Sequence, residues 1–350
     1  MNEKRVKFGA IGASNMGLLH IEAIARSPKM ELMAVCDKDP ARLEIARERV
    51  LCPSFYTDWR DVLKNPEVEA VVLCVPDGLH LEMTEAALAA GKDVLCEKPM
   101  ALTLEECEAM RAAEKKYGGR LMIGQICRYT PAFIKTKELI QRGEIGELFY
   151  VESEYAHDYS IARGADDWRV DPRREPYIGG GCHAVDLLRW IAGDPYEITA
   201  YSNHKCLTDW PVNDCTVSIL RFPGDVLGKV FVSIGCKRNY TMRSVFYGTK
   251  GTIICDNTGT HITVFKEGLK EKDPLFTGKR DYTIPVQYPV SISNHNTFGE
   301  LENFAESILQ DAPVPTTSFD GECTVAVCVA AAESARLGKA IEIQYPKEEL

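Results

Sequence analysis

The sequence predicts an α/β fold in two domains, and three observations carry that prediction. Strand and helix periods alternate over the first 125 residues, with apolar strands that suit a parallel sheet covered by helices on both faces. A glycine-rich turn joins the first strand to the first helix, which marks a doubly wound Rossmann sheet. After a helix from Pro131 to Arg142 the chain changes to β-rich segments separated by Gly, Pro and Asn turns. The expected division is therefore 1–125, a dinucleotide-binding Rossmann domain, and 126–350, an α/β domain with a large, open, mostly antiparallel sheet.

The elements follow in order. "RVKFGAIG" (5–12) is a compact apolar strand, and "LLHIEAIARS" (18–27) has helical spacing and ends at Pro28. "ELMAVCD" (31–37) is a second strand, after which Asp39 and Pro40 supply the N-cap and first-turn proline of a helix reaching about Val50. "VEAVVLCVP" (68–76) reads as a buried strand and "LHLEMTEAALAAG" (79–91) as a helix closed by Gly91. "DVLCE" is the next strand, and Thr103 with Glu106 forms a capping box for a helix to about Tyr117. "RLMIGQICR" (120–128) is one more strand, followed by a helix from Pro131 to Arg142. In the second part "ELFYVESEYA", "DCTVSILRF", "GKVFVSIG" and "GTIICD" are strands, "CHAVDLLRWIAG" (182–193) is a helix, and helical patterns return at 298–310 and 321–337.

Composition narrows the class. The 350 residues are 45% hydrophobic and 26% charged, with a formal charge of −10 and no basic cluster, so nothing resembles a nucleic-acid footprint. No apolar run is long enough to span a bilayer, and no signal-peptide pattern precedes the first strand. The 13 cysteines are an odd number without Cys-x-x-Cys pairs, and several, such as Cys36, Cys74 and Cys96, fall inside apolar strands. They read as reduced, buried small hydrophobes of a cytoplasmic protein, with no zinc framework and no metal expected.

The turn "GASNMG" holds Gly12 and Gly17 at the first and third positions of the G-x-G-x-x-G fingerprint, with Ser14 at the second. There the amides and the helix dipole meet a pyrophosphate, and the Ser14 hydroxyl adds a donor. Asn15 and Met16 complete the cradle. Asp37 ends the second strand at the spacing of a carboxylate that accepts from the ribose hydroxyls. It would repel a 2′-phosphate, which favours NAD over NADP, although Lys38 and Arg42 blunt the repulsion and keep NADP possible.

"GASNMGLLH", "CDKDPAR", "VPDGLHLEMTEAALAAGKDVLCEKPMALT", "RYTPAF" and "GGGCHAVDLLRW" together resemble the Gfo/Idh/MocA family of oxidoreductases, which includes glucose–fructose oxidoreductase and inositol dehydrogenases. The resemblance covers most of 5–193, and Glu97-Lys98-Pro99 is its most specific element. It implies an NAD(P)-binding Rossmann domain and a second domain whose open sheet forms a homodimer or homotetramer. It implies a pocket for a sugar, polyol or sugar derivative, and a cis Lys98–Pro99 bond. The family's lysine maps onto Lys98 and its His-x-x-Asp onto His183 and Asp186. Many members carry an aspartate four residues before that histidine, where this chain has Gly179; His157, Asp158, Tyr159 and Tyr177 are the nearby substitutes.

The chemistry of carbinol oxidation fits these residues. A hydride leaves carbon for the nicotinamide and a proton leaves oxygen for a base within hydrogen-bond reach. A strand-end lysine beside a cationic nicotinamide gives up its proton more readily than one in water. Lys98 therefore suits a group that takes the proton on oxidation and polarises the carbonyl on reduction; a surface lysine at a strand end is the plain alternative. His183, at a helix start with Asp186 one turn on, suits a proton shuttle whose ring the carboxylate orients or whose partner binds a substrate hydroxyl. A packed helix-start histidine is the alternative. Pro76, His80 and Glu97 are expected near the nicotinamide, with a helix-cap role as the other reading of His80. The loop "DDWRVDPRR" (166–174), with Trp168 and Arg169, and Arg128 at the end of the last Rossmann strand are expected at the substrate.

Other oxidoreductase classes fit poorly. Tyr201 and Lys205 match the letters of a short-chain dehydrogenase pair, but on a strand they would stand about 13 Å apart. Two alternatives to the dehydrogenase remain: a non-catalytic NAD-binding regulator, and an enzyme with a tightly held, recycled cofactor acting on glycosides.

Overall fold

The computed structural model describes residues 4–161, 163, 165–272, 275, 281–292 and 295–347. They form two compact units. One takes in the chain through Ile126 with Asn296–Val325 and the segment from Tyr345; the other takes in Cys127–His295 and Ala326–Gln344. The sequence reading kept everything after 126 together, whereas the folded chain returns to the first unit near its end. Helical spacing identifies a helix but not the sheet it covers, which is why this return was not foreseen.

The first unit runs β1 (Val6–Ile11), α1 (Asn15–Arg26), β2 (Met30–Cys36), α2 (Pro40–Arg49), β3 (Ser54–Tyr56), α3 (Trp59–Lys64), β4 (Ala70–Leu73), α4 (His80–Ala89), β5 (Asp93–Glu97), α5 (Leu104–Tyr117) and β6 (Leu121–Gly124). Its six strands are parallel in the order β3-β2-β1-β4-β5-β6. The order reverses between β1 and β4, so a crevice opens beyond their carboxyl ends, the place where such sheets take ligands. Every residue of β4 and β6 is buried, as a sheet covered on both faces requires. Local chemistry sets the helix starts: Asp39 accepts from the Ala41 amide at 3.0 Å and Asp58 from the Arg60 amide at 3.0 Å. At α5 the Thr103 hydroxyl accepts from the Glu106 amide at 3.2 Å, and Glu106 reaches back to the Leu102 amide at 3.1 Å.

The second unit begins with α6 (Pro131–Gln141), β7 (Leu148–Ala156), α7 (Pro176–Gly179) and α8 (Cys182–Ala192). Then come β8 (Glu197–Asn203), β9 (Cys215–Phe222), β10 (Val226–Ser233), β11 (Ser244–Gly248), β12 (Gly251–Cys255), β13 (His261–Lys272) and β14 (Asp281–Pro289). The chain closes with α9 (Thr297–Leu309), α10 (Ser318–Leu337) and β15 (Ile341–Glu342). The sheet order is β14-β13-β12-β11-β7-β10-β9-β8-β15, antiparallel throughout except for the β7–β10 pair. Period-two burial splits its faces. Ile198, Ala200, Leu220, Phe222, Val230 and Val232 are buried, while Tyr201, Val217, Ile219 and Leu227 point the other way and are exposed.

The returning segment completes the first unit. Phe304 of α9 meets Phe8 of β1 edge-on at 6.0 Å, and Lys29 pairs with Glu302 at 2.8 Å and with Glu306. Arg111 of α5 pairs with Glu322 of α10 at 3.0 Å. Beyond β6, the Ile123 amide donates to the Thr316 carbonyl at 3.0 Å.

Candidate active site

The glycine-rich turn is built for close approach. Gly12 has φ of +97°, and a Cβ added there would strike the Cys74 carbonyl; one on Gly17 would strike the Gly12 carbonyl. Ser14 is the N-cap of α1 yet makes no side-chain capping bond, and no acid stands in the first turn. The helix therefore keeps an anion-attracting N-terminus with a spare hydroxyl, edged by exposed Asn15 and half-buried Met16. Asp37 is buried at the end of β2; its Oδ2 accepts from the Ala13 amide at 2.8 Å and its Oδ1 from the Asp39 amide at 2.9 Å. Arg42 lies 3.5 Å from the same carboxylate, and Lys38 is exposed. These residues fit a dinucleotide: a tight glycine cradle, an open helix N-terminus and a fixed carboxylate one strand away.

At the end of β5 the Lys98–Pro99 bond is cis, and Lys98 is half-buried. Glu97, expected as a cofactor residue, spends Oε1 on His20 of α1 at 2.9 Å and Oε2 on the Lys98 amide at 3.2 Å. Burial pushes the Glu97 carboxyl up, but the His20 hydrogen bond and the charges of His20 and Lys98 outweigh it and leave the group below the usual carboxylate range. His20, Cys74 and Glu97 also have metal-ligand spacing, all ligand atoms within 4.8 Å of one another. The direct His20–Glu97 bond occupies the facing atoms, so the group reads as a buried hydrogen-bonded pair.

Glu300 of α9 belongs with this cluster. It is 0% exposed and neither carboxylate oxygen has a hydrogen-bond partner. Burial, then the Glu97 charge, pushes it well above the carboxylate range, with Lys98 opposing.

His80, expected near the nicotinamide, is fully buried with both ring nitrogens against protein carbonyls. Nδ1 lies 2.9 Å from the Pro99 carbonyl and Nε2 3.2 Å from that of Val75. Burial works against its cation, but Cys96, Asp77 and the Pro99 carbonyl prevail and the imidazole is pushed up to about 10. Two facing acceptors suit a ring that donates from both nitrogens. His80 thereby holds the segment that follows Lys98 to the end of β4, beside half-buried Pro76.

In the second unit His183 is 2% exposed at the start of α8. Its Nδ1 lies 3.3 Å from the Cys127 thiol, and its ring stacks on Tyr155 at 5.8 Å. His295 meets it edge-on at 6.0 Å and Tyr240 stacks on His295 at 5.7 Å. Tyr155 hydrogen-bonds the Tyr159 hydroxyl at 2.9 Å, and His157 and Trp210 extend the same aromatic wall. Asp186, expected to orient His183 or bind substrate, is fully buried and accepts from Arg128 through both oxygens, at 2.9 and 2.7 Å. The two expected substrate residues thus face each other, because a planar guanidinium pairs a carboxylate bidentately.

Trp168 and Arg169 sit together, the guanidinium 4.3 Å from the indole centre. The side chains of Asp166 and Asp167 lie outside the described residues. At the position of the missing family aspartate, a Cβ on Gly179 would strike the guanidinium of Arg174, the last residue of the loop 166–174. Tyr177 instead bonds Ser218 at 2.5 Å and Asp158 pairs with Lys237 at 3.2 Å. His20 and Glu300 were missed. Their signal was a polar residue on the apolar stripe of an amphipathic helix, His20 with Ile21 and Ile24, Glu300 with Leu301 and Phe304.

The fold and this site define a nicotinamide-dependent oxidoreductase. The oxidoreductase family with an NAD-binding Rossmann fold matches residues 6–125, and the GFO/IDH/MocA C-terminal domain matches 133–254. The chain belongs to the Gfo/Idh/MocA family of oxidoreductases. It is 27% identical to an uncharacterized oxidoreductase, YrbE, of Bacillus subtilis, covering 99% of this chain and 98% of that protein. It is 25% identical to a myo-inositol 2-dehydrogenase of Thermotoga maritima, covering 97% and 99%. A levoglucosan dehydrogenase solved in complex with NADH shares the fold, with a TM-score of 0.86 and 23% identity over 98% of this chain and all of that one.

Proposed function

We propose that this enzyme transfers a hydride between NAD and a secondary hydroxyl or carbonyl of a sugar, polyol or sugar derivative. Lys98 and His183 handle the proton. The observation that carries the reading is the Glu97-Lys98-Pro99 segment at the carboxyl end of β5, where His20 fixes Glu97 and Glu97 in turn fixes the Lys98 amide. Bound NAD supplies the hydride acceptor. Ser14 and the first amides of α1 hold its pyrophosphate, and Asp37 accepts from the adenosine ribose, which favours NAD over NADP. Lys98 takes the hydroxyl proton on oxidation, and His183, in its aromatic wall, relays or steadies it. The names of the relatives, a myo-inositol and a levoglucosan dehydrogenase, support a polyhydroxylated substrate.

The enzyme is also proposed to self-associate through the exposed face of its large sheet, where Tyr201, Val217, Ile219 and Leu227 lie side by side on paired strands. A reducing, cytoplasmic compartment is proposed from the cysteines, all 13 of which are free. No helix of the described residues is long and apolar enough to cross a membrane.

The test is NADH formation from NAD across a panel of inositols, sugars, sugar acids and glycosides, repeated with NADP. Lys98→Met is expected to abolish turnover while NADH still binds, and His183→Ala to lower kcat more than it raises KM. Near-normal activity in Lys98→Met would overturn the proton assignment. Binding without turnover on any compound would favour a non-catalytic regulator.

A further inference from the structure

Cys127 and Arg128 are adjacent in the short turn Ile126–Tyr129, and each holds one residue of α8. Arg128 takes Asp186 through both carboxylate oxygens. Cys127 takes His183, one helical turn earlier, with 3.3 Å from its sulfur to Nδ1. The contact is enclosed, since Cys127 and His183 are each 2% exposed. A second neighbour of the thiol is the fully buried Met242, whose Sδ lies 3.4 Å from the Cys127 sulfur. Met242 is itself fixed, because its amide donates to the Asn257 side-chain oxygen at 2.7 Å.

These two contacts decide the state of the imidazole. A thioether has no hydrogen to give, so the bond between the two sulfurs uses the single S–H of Cys127. The thiol then meets His183 with its lone pairs, and Nδ1 supplies the hydrogen of that bond. Tyr155, stacked at 5.8 Å, and His295, edge-on at 6.0 Å, hold the plane of the ring but do not distinguish its nitrogens. The hydrogen bond made by one ring nitrogen sets the protonation of the other. We propose that Cys127, its S–H turned to Met242, is a positioning residue that keeps the proton of neutral His183 on Nδ1 and leaves the Nε2 lone pair to accept a proton during oxidation. With that proton the ring is an imidazolium that donates from both nitrogens. On reduction it returns the Nε2 proton, and the Nδ1–H bond to sulfur stands throughout. This rests on the reading of His183 as a proton-handling residue and adds which nitrogen does the work. A neutral sulfur steadies the imidazolium less than a carboxylate in its place would, so the ring gives the proton back readily.

Nitrogen NMR of the full-length enzyme labelled at histidine tests it, with His183→Ala locating the His183 signals. The neutral ring is expected to carry its proton on Nδ1; a proton on Nε2 would overturn the proposal. Met242→Leu keeps the volume but removes the acceptor of the S–H, and is expected to move the ring toward the Nε2–H form. An unmoved ring in that variant would overturn the role given to Met242 and with it the proposal. In turnover, Cys127→Ala is expected to lower kcat by about tenfold with little change in KM. Cys127→Ser restores a donor and an acceptor at the same place, and is expected to keep several times more of the rate than Cys127→Ala. A thiol that only filled space would give the reverse order, because a buried hydroxyl costs more there than a methyl group, and that order would overturn the proposal. Thermal melts and NADH binding establish that each variant is folded. Full activity in His183→Ala would overturn the proton-handling reading instead, while the NMR signals still decide the tautomer.

Discussion

Glu300 is expected to add its own contribution to the dependence of stability on pH. Its folded-state carboxyl is held well above its ordinary value of 4.5, by burial first and by Glu97 second. Below that ordinary value both the folded and the unfolded chain hold the proton, and no stability is lost. Above it the unfolded chain releases a proton that the folded chain keeps, so stability falls by about 1.4 kcal/mol per pH unit until the folded group ionises. Glu97 has the opposite sign: its lowered carboxyl contributes stability above its ordinary value, and that contribution is lost as pH falls. Glu300→Gln is therefore expected to flatten the decline in Tm as pH rises above the ordinary value of 4.5. Parallel declines in the wild type and the variant would show that Glu300 is ionised in the folded state. Lys98 and Asp37 were legible in the sequence because each stands at a strand end inside a motif of near neighbours. Glu300 was not, because it reaches the neighbourhood of Glu97 and Lys98 from a helix about two hundred residues further along the chain. Arg174 was read only as part of the loop 166–174, because the contact of its guanidinium with Gly179 is a matter of packing.

At the scale of elements, the turn between β1 and α1 tolerates no added carbon. Gly17→Ala brings a methyl group onto the Gly12 carbonyl and pushes the first turn of α1 away from the phosphate position. NADH affinity, measured by fluorescence titration, is expected to fall by roughly tenfold or more, with Lys98 and His183 untouched. Unchanged affinity would remove the turn from the cofactor site. Elements with strong local chemistry were read correctly: Asp39-Pro40 starts α2 and Thr103 starts α5. β3 and α3 escaped notice, since three strand residues and six helical ones are too short for a period to emerge. The strand forms because β2 offers it an edge, with Val35 opposite Phe55.

For the whole molecule, the outward face of the nine-stranded sheet is the surface proposed to take a second copy, with Tyr201, Val217, Ile219 and Leu227 exposed on it. Val217 and Ile219 alternate with buried Thr216, Ser218 and Leu220 along β9, so their exposure is set by the pleat and does not arise from fraying. Ile219→Glu places a charge in that face without touching the buried side. It is expected to lower the molar mass in solution, by size exclusion with light scattering, while NADH binding persists. An unchanged mass would assign the face to solvent. The order of the chain through the two units has a consequence for synthesis. A ribosome delivers β1 well before α9, so Phe8 waits for Phe304 while everything between them is made. Until then the nucleotide-binding sheet has an uncovered apolar flank, and Glu97 lacks the neighbour that Glu300 becomes. Domains generally fold as they emerge. Here the first unit begins to emerge early but is finished only after α9 has been made.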